Sequence, residues 1–236
     1  MKKSILALPL CAVVTTLVYA DAVLVDGPMK FKPIAASAYQ QTTSDPLVLN
    51  TKPWVIPEGY AQRIISDESD LDIYPNSGDW TDMNTVNEAG KRAGRYMYRT
   101  HEVRPGTDPF LGGAISIVDL KTGEAEVLAQ RADWEALDGL VWTPWQTLLF
   151  AEETITAQLP DPDVPAAQSG LLYELKFANN DPTKVEEIKV RPKLGSLSHE
   201  GIEIDDEGNV YVIDEDRKGA IYKFVPDTYG DLSSGQ

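Results

Sequence analysis

The chain has 236 residues, with 37 acidic and 21 basic side chains, so its formal charge at pH 7 is −16. Such a surface repels the phosphates of nucleic acids and anionic membranes, which argues against nucleic-acid partners. An excess of carboxylates instead suits hard cations, above all calcium, although solubility alone would also explain it.

Residues 1–20 have the features of a secretory signal peptide. Two lysines precede an apolar run from Ile5 to Val18, and small residues suited to signal peptidase follow. We therefore expect export to the periplasm, the cell surface or the medium. The single cysteine, Cys11, lies inside this segment, so the mature chain has no thiol. No later apolar run approaches the ~20 residues of a membrane helix, so the mature protein is expected to be soluble.

Two regions follow the signal segment. Residues 21–57 are rich in Pro, Ser and Thr and show little periodicity, which predicts an extended N-terminal arm. Residues 58–236 contain short apolar runs bounded by Gly, Asn and Asp, the pattern of strands joined by tight turns. Little of this region has the period of an amphipathic helix, so the sequence predicts an all-β fold.

Three segments of residues 58–236 repeat one pattern of strands. Their central runs are Gly94–Glu102 with Gly113–Leu120, Asp138–Glu153 with Gly170–Phe177, and Ser198–Asp216 with Gly219–Val225. Sets of short antiparallel strands repeated in this way are typical of propeller blades. Propellers usually have four to eight blades, so we interpret the region as part of a β-propeller, with about three blades covered.

Acidic residues recur at fixed places in this pattern. Glu200-Gly201 follows Asp138-Gly139 at a certain interval, and Asp214-Glu215 follows Glu152-Glu153 at the same interval. In the first segment Glu102 takes the position of the acidic doublet, and Asp82-Met83 takes that of the acid-Gly pair. A position that recurs once per blade in a radial repeat gathers its side chains around one axis. We therefore expect these acids to converge.

Carboxylates are the chemistry that the sequence offers. Each of the two histidines, His101 and His199, precedes a glutamate, but neither begins a helical zinc-protease motif, and no nucleophile-elbow serine occurs. The candidate acids are Glu102, Asp138, Glu152, Glu153, Glu200, Asp214, Glu215 and Asp216. Like charges held together need cations, and oxygen ligands favour calcium or magnesium, with iron or manganese left open by the two histidines.

Four motifs in this order resemble those of the PhoX-type alkaline phosphatase family: His101-Glu102, Thr143–Glu153, Ser198–Gly201 and Gly219–Val225. The resemblance covers residues 80–226. It implies an exported β-propeller that hydrolyses phosphate monoesters with a calcium and iron cluster at the propeller axis.

Position by position, the resemblance implies a set of metal ligands: Glu102, Glu152, Glu153 and Glu200. Ala151 stands where the family places the cysteine that bridges iron, and Thr100 stands where it usually has Asn. Because alanine cannot ligate a metal, the resemblance implies calcium more strongly than iron.

Three functions stay open at this point. A metal-assisted hydrolase would use water or oxide to attack a phosphate monoester, with Arg99, Arg104 and Arg217 as candidate phosphoryl-binding groups or, alternatively, surface ion-pair partners. A non-catalytic propeller would use calcium only to hold its blades together. A calcium-dependent lactonase or esterase would activate water at one axial metal. Trp134 and Trp142 are expected to pack between blades, as is Trp145.

Overall fold

A computed structural model describes residues 63–66, 70, 71, 73, 74, 80–103, 112–154, 159–167, 170–216 and 218–236. All of them belong to the unit Arg63–Gln236. The predicted signal peptide (1–20) and N-terminal arm (21–57) lie outside the described residues. Within the described ranges, no helix is long and apolar enough to cross a membrane.

The prediction of an all-β fold is confirmed. Sheet 1 is four-stranded and antiparallel, in the order β1 (Trp80–Val86), β2 (Tyr96–Glu102), β3 (Ala114–Asp119) and β4 (Ala125–Gln130). Sheet 2 repeats this order with β5 (Leu137–Trp142), β6 (Leu148–Glu152), β7 (Leu172–Phe177) and β8 (Val185–Val190). Sheet 3 has β9 (His199–Ile204), β10 (Val210–Asp214) and β11 (Ile221–Phe224), and β12 (Pro226–Thr228) pairs with β13 (Asp231–Gly235). Short 3-10 turns occur at Ala178–Asn180 and Pro192–Leu194.

The predicted turn chemistry forms the connections. Gly123 and Gly208 both have a left-handed backbone, with φ of 80° and 82°, at the tips of the turns that join β3 to β4 and β9 to β10. In the second turn the Asp205 carboxylate accepts hydrogen bonds from the backbone N–H groups of Glu207 (3.0 Å) and Asn209 (2.9 Å). The Asp-Asp-Glu-Gly-Asn sequence therefore specifies its own turn.

Two apolar cores lie between neighbouring sheets. Tyr98, from sheet 1, stacks on Trp142, from sheet 2, with ring centroids 5.8 Å apart, and Trp134 is fully buried in the same core. Leu149, from sheet 2, and Val212, from sheet 3, belong to the second core. Trp145 is half-buried against this second core. The three tryptophans thus pack as the sequence predicted, and the sheets stack in chain order.

A β-bulge recurs at the same place in all three sheets. In each sheet the first strand has two residues opposite one residue of the second strand. The bulged pairs are Asp82-Met83, Asp138-Gly139 and Glu200-Gly201. Strands β1, β5 and β9 lie next to one another, so the bulges bring one acid from each sheet to the same end of the stack.

Candidate metal centre

The carboxyl groups of Asp138, Glu153 and Glu200 converge at the end of the stack where the bulges lie. One oxygen from each of them lies within 4.8 Å of the others. Oxygen ligands stand about 2.3–2.6 Å from a calcium ion, so oxygens on opposite sides of one ion are separated by about this distance. The three carboxylates therefore have the spacing to share one cation.

The second strand of sheets 2 and 3 is followed directly by an acid of the site. Glu153 directly follows β6, and its N–H donates to the Ala136 carbonyl (2.9 Å). Glu215 directly follows β10, and its N–H donates to the Ser198 carbonyl (3.0 Å). The Ser198 hydroxyl also donates to the Glu153 carbonyl, which ties sheet 3 to sheet 2 beside the acids. These hydrogen bonds fix the backbone positions of Glu153 and Glu215 beside the site.

Gly139 lets the inner strands of sheets 2 and 3 approach each other. A Cβ atom at this position would lie 2.5 Å from the Glu200 carbonyl oxygen and 3.0 Å from the Ile202 side chain. Backbone cannot give way as a flexible side chain can, so only glycine fits here. The glycine of the acid-Gly pair thus sets the distance between Asp138 and Glu200.

Replacing Gly139 with Ala is expected to lower the free energy of unfolding by about 1–3 kcal/mol, because β5 and β9 must separate. The same change should weaken calcium binding, since Asp138 and Glu200 move apart. Thermal unfolding and isothermal titration calorimetry measure the two effects. Gly201→Ala is the matched control, because its Cβ would meet only the Ile213 side chain, at 3.4 Å. Equal losses for the two variants would contradict this account.

Asp138 is the buried member of the cluster, with 1% of its surface exposed. Its Oδ1 atom is buried and has no hydrogen-bond partner among the described residues. Burial, a hydrogen bond with the Glu200 carboxyl group and the nearby charges of Asp82, Glu200 and Glu153 raise the pKa of Asp138 to about 9. Without a cation this carboxyl group keeps its proton at neutral pH.

Glu153 connects this group to two further acids. Burial raises the pKa of Glu153 to about 8, and hydrogen bonds with the carboxyl groups of Glu215 and Glu102 contribute in the same direction. Glu102 ends β2 and Glu215 follows β10, so both hold the position of Glu153 in their own sheets. Glu102, Glu153 and Glu200, three of the four ligands expected from the sequence, are therefore brought together.

Glu152, the fourth expected ligand, lies outside the cluster. Its two carboxylate oxygens accept hydrogen bonds from the backbone N–H groups of Glu135 (3.0 Å) and Leu171 (3.0 Å), and its side chain is 1% exposed. The reason is strand geometry, since consecutive residues of a strand point to opposite sides. Burial raises the pKa of Glu152 to about 7, against the two backbone hydrogen bonds that lower it.

We expect Glu152→Gln to destabilise the protein by about 1–3 kcal/mol while leaving calcium affinity within about twofold of the wild type. The new amide nitrogen faces a backbone N–H that needs an acceptor, but the cation ligands are unchanged. Glu153→Gln should show the opposite pattern, with weaker calcium binding and little loss of stability. Calorimetric titration with a melting curve on both variants separates them. Equal losses of affinity would place Glu152 among the ligands.

Asp214 and the two histidines also lie outside the three-carboxylate cluster. Asp214, the equivalent of Glu152, accepts hydrogen bonds from the backbone N–H groups of Ser198 (3.3 Å) and Asp216 (3.2 Å). His101 Nε2 lies 2.7 Å from the Ser116 hydroxyl. His199 is fully buried, and burial lowers its pKa to about 4, so its ring is neutral at pH 7.

Of the three candidate phosphoryl-binding arginines, the structure describes Arg99. Arg99 is buried and its Nε donates to Ser116 (3.1 Å), while Arg104 and Arg217 lie outside the described residues. Ala151, at the family's cysteine position, is fully buried in the core between sheets 2 and 3. This position offers no metal ligand, so an iron site would lack the thiolate that the resemblance implies.

Asp138 is the residue that the expected ligand set left out. The sequence did carry a signal for it, because Asp138-Gly139 aligns with Glu200-Gly201 in the repeat. Asp138-Gly139 lies outside the four motifs that resemble the family. The buried Oδ1 of Asp138, which has no hydrogen-bond partner in the described part of the chain, and the oxygen-only composition of the cluster fit a hard cation such as calcium.

Comparisons with known proteins add little to this geometry. No protein-family model matches the sequence, and no curated protein matches it. One crystal structure with a related arrangement, provisionally described as a gluconolactonase, aligns at 13% sequence identity with a TM-score of 0.32. The match covers 53% of this chain and 40% of that one. At this level the likeness carries no argument about activity.

Proposed function

We propose that this chain binds one calcium-class cation between Asp138, Glu153 and Glu200 and uses it to hydrolyse uncharged esters or lactones. The observation that supports the proposal most strongly is the convergence of these three carboxyl groups around a buried Asp138 oxygen that has no hydrogen-bond partner among the described residues. A buried polar atom without a partner costs about 1–3 kcal/mol, and a cation bound between the three carboxyl groups would remove this cost for Asp138.

The three ligands have different exposures and hence different roles. Asp138 is buried and binds the cation from the protein side, while Glu153 is half-buried and held by Glu102 and Glu215. Glu200 is exposed at the mouth of the site, where its carboxylate can orient a water molecule and accept its proton. A cation bound there would polarise the ester carbonyl group and stabilise the negative charge of the transition state.

The charge of the site favours an uncharged substrate over a phosphate monoester. Asp138 and Glu153 interact with four more acids, Asp82, Glu102, Glu200 and Glu215. One divalent cation offsets only two of these charges, so a phosphate dianion would meet net repulsion. Two like charges 4 Å apart repel by about 4 kcal/mol at an effective dielectric constant of about 20. A neutral ester or lactone avoids this cost.

One observation supports a second candidate, the phosphate monoesterase that the family resemblance implies. Three acids of the resembling motifs, Glu102, Glu153 and Glu200, do converge. With several cations bound, the acids would be neutralised and a phosphate dianion would be attracted instead of repelled. This candidate therefore requires more than one cation per chain.

A substrate panel separates the candidates. We would measure hydrolysis of p-nitrophenyl acetate, a δ-lactone and p-nitrophenyl phosphate with calcium, with calcium plus iron, and with chelator, in the wild type and in Asp138→Asn. The proposal predicts calcium-dependent turnover of the acetate or the lactone, lost in the variant. Turnover of p-nitrophenyl phosphate alone would contradict the proposal and support the phosphate monoesterase instead. A calcium-dependent rise in melting temperature without turnover of any substrate would leave the non-catalytic, calcium-stabilised propeller.

A further inference from the structure

Trp80, at the start of β1, is the most exposed large apolar residue in the part of the chain that the structure describes, with 73% of its surface accessible. It lies directly opposite Glu102 of β2. Residues opposite each other in an antiparallel pair have side chains on the same side of the sheet, with Cβ atoms about 4.5–5.5 Å apart. The indole therefore begins beside an acid whose carboxyl group hydrogen-bonds with that of Glu153.

The side of sheet 1 that carries Trp80 is the side that faces sheet 2. Side chains alternate along a strand, so Glu102 points to the same side of β2 as Tyr98. Tyr98 in turn stacks on Trp142 of sheet 2. The exposed indole is therefore at the end of the cleft between sheets 1 and 2, on the side of sheet 1 where the core lies.

The repeat shows that packing does not require a large residue at this position. The equivalent residues are Ala136, opposite Glu153, and Ser198, opposite Glu215, because the two glutamates donate their N–H groups to the Ala136 and Ser198 carbonyls. Both equivalents are small, and they are buried and half-buried. Trp80 departs from this pattern in size and in exposure, so the repeat does not account for it.

The cation site is close to this indole. The charge of Asp82, two residues after Trp80 on β1, acts on the Asp138 carboxyl group, and Glu102 hydrogen-bonds with Glu153. An exposed aromatic side chain next to a few convergent polar groups is typical of a ligand site. Trp80 can therefore contact the part of a substrate that does not react.

The chemistry of an indole among acids favours one kind of group. Stacked aromatic rings attract each other beyond the effect of the area that they bury, because their quadrupoles are complementary in offset arrangements. A tryptophan is also rigid, so it loses little conformational entropy when a ring binds to it. The surrounding carboxylates repel anionic substituents. An uncharged aromatic ring is therefore the group that fits this surface.

We propose that Trp80 is a substrate-contacting residue that selects esters with an uncharged aromatic ring beside the ester group. This inference rests on the proposed hydrolysis of esters or lactones. The ester group binds at the cation site, and its ring stacks on Trp80, on the sheet 1 side of that site. Trp80 is not a cation ligand, so ring selection and cation affinity are separate properties.

A matched pair of esters tests ring selection. Benzyl acetate and cyclohexylmethyl acetate have similar size and similar leaving groups, but only the first has an aromatic ring. With calcium, the wild type should hydrolyse benzyl acetate with a kcat/KM about fivefold higher than that of the saturated ester. Trp80→Ala should lower the kcat/KM of benzyl acetate by about tenfold and remove the preference, whereas Trp80→Phe should keep most of it.

A second pair measures binding without turnover. In 4-phenyl-2-butanone and 4-cyclohexyl-2-butanone a CH2 group replaces the ester oxygen, so neither compound can be hydrolysed. NMR titration should give the wild type a dissociation constant about fivefold lower for the phenyl compound, and Trp80→Ala equal constants for both. Calorimetric calcium affinity should stay within about twofold in Trp80→Ala, because no ligand is changed.

Tyr229→Ala is the control for the loss of an exposed aromatic side chain. Tyr229 is 55% exposed and packs on Trp145, in the turn at the other end of β5 from the cation site. This variant should keep the preference for both aromatic compounds.

The outcomes separate this proposal from the proposed function. Ketone binding that depends on Trp80, in a protein that hydrolyses no ester, would retain the aromatic site and remove the hydrolase. A wild type without a preference for the aromatic compounds, or a preference that Trp80→Ala retains, overturns the role of Trp80 and leaves any hydrolysis intact. A loss of calcium affinity in Trp80→Ala as large as its loss of ketone binding also overturns it, since Trp80 would then only support the cation site.

Discussion

Asp138→Asn is expected to weaken calcium binding by about 100-fold or more while raising the melting temperature of the cation-free protein. The first effect follows because Asn removes one of three converging negative charges and replaces one carboxylate oxygen with an NH2 group, which cannot bind a cation. The second follows because Asn needs no proton and adds no charge to a buried cluster of acids. Opposite changes in affinity and stability distinguish a metal ligand from a residue that only supports the fold.

Calorimetric titration with calcium and thermal unfolding in chelator measure the two effects. Asp206→Asn is the matched control, since Asp206 is exposed in the turn between β9 and β10, away from the cluster. It removes the same charge from the chain and should change neither quantity appreciably. If Asp138→Asn lowered the melting temperature in chelator and left the affinity unchanged, Asp138 would have a structural role and no role as a ligand.

Calcium affinity should rise by at least about tenfold between pH 7 and pH 8 and level off above pH 9. The cause is competition with protons, because the pKa of Asp138 is raised to about 9 and that of Glu153 to about 8. Each carboxyl group must lose its proton to bind the cation. If one carboxyl group loses its proton for each cation bound, the affinity for the cation rises tenfold per pH unit below the pKa of that group.

The cation-free protein should show the opposite dependence, with stability falling as the pH rises. Both acids have a higher pKa in the folded state than the usual 3.9 and 4.3 of unfolded chains, so the folded state holds more protons between about pH 4 and pH 9. The stabilisation is complete below pH 4 and is lost as the pH rises through about 8 and 9. Melting curves in chelator across this range measure the loss. Asp138→Asn should flatten the curve, and a wild type equally stable at pH 6 and pH 9 would contradict the raised pKa values.

The sequence predicted the elements and their periodicity well. Alternating and continuous apolar runs set the strands, and Gly and Asp set the turns, because both effects are local and depend on neighbouring residues alone. The repeat of acid-Gly pairs and acidic doublets also located the two strand ends that carry the site. The repeat predicted that all of the recurring acids converge. The structure brings Glu102, Glu153 and Glu200 together, but Glu152 and Asp214 accept hydrogen bonds from backbone N–H groups instead.

Tertiary structure decided which acid of each pair enters the site. Glu152 and Glu153 are chemically equivalent in the sequence, yet one caps backbone N–H groups in the core and the other joins the cluster. That choice depends on the register between strands, and register is fixed by contacts far apart in the chain. Asp138 entered the cluster for the same reason, through a β-bulge that no local pattern specifies.

What the sequence by itself determined is therefore an all-β chain, strongly acidic, with carboxylates recurring once per sheet. The stacking of sheets decided the rest: the convergence of one oxygen from each of three carboxyl groups to within 4.8 Å, and the raised pKa values of Asp138 and Glu153. The physical reason is that a carboxyl group's pKa and ligand geometry depend on its distance from other charges and from water, and packing alone sets those distances.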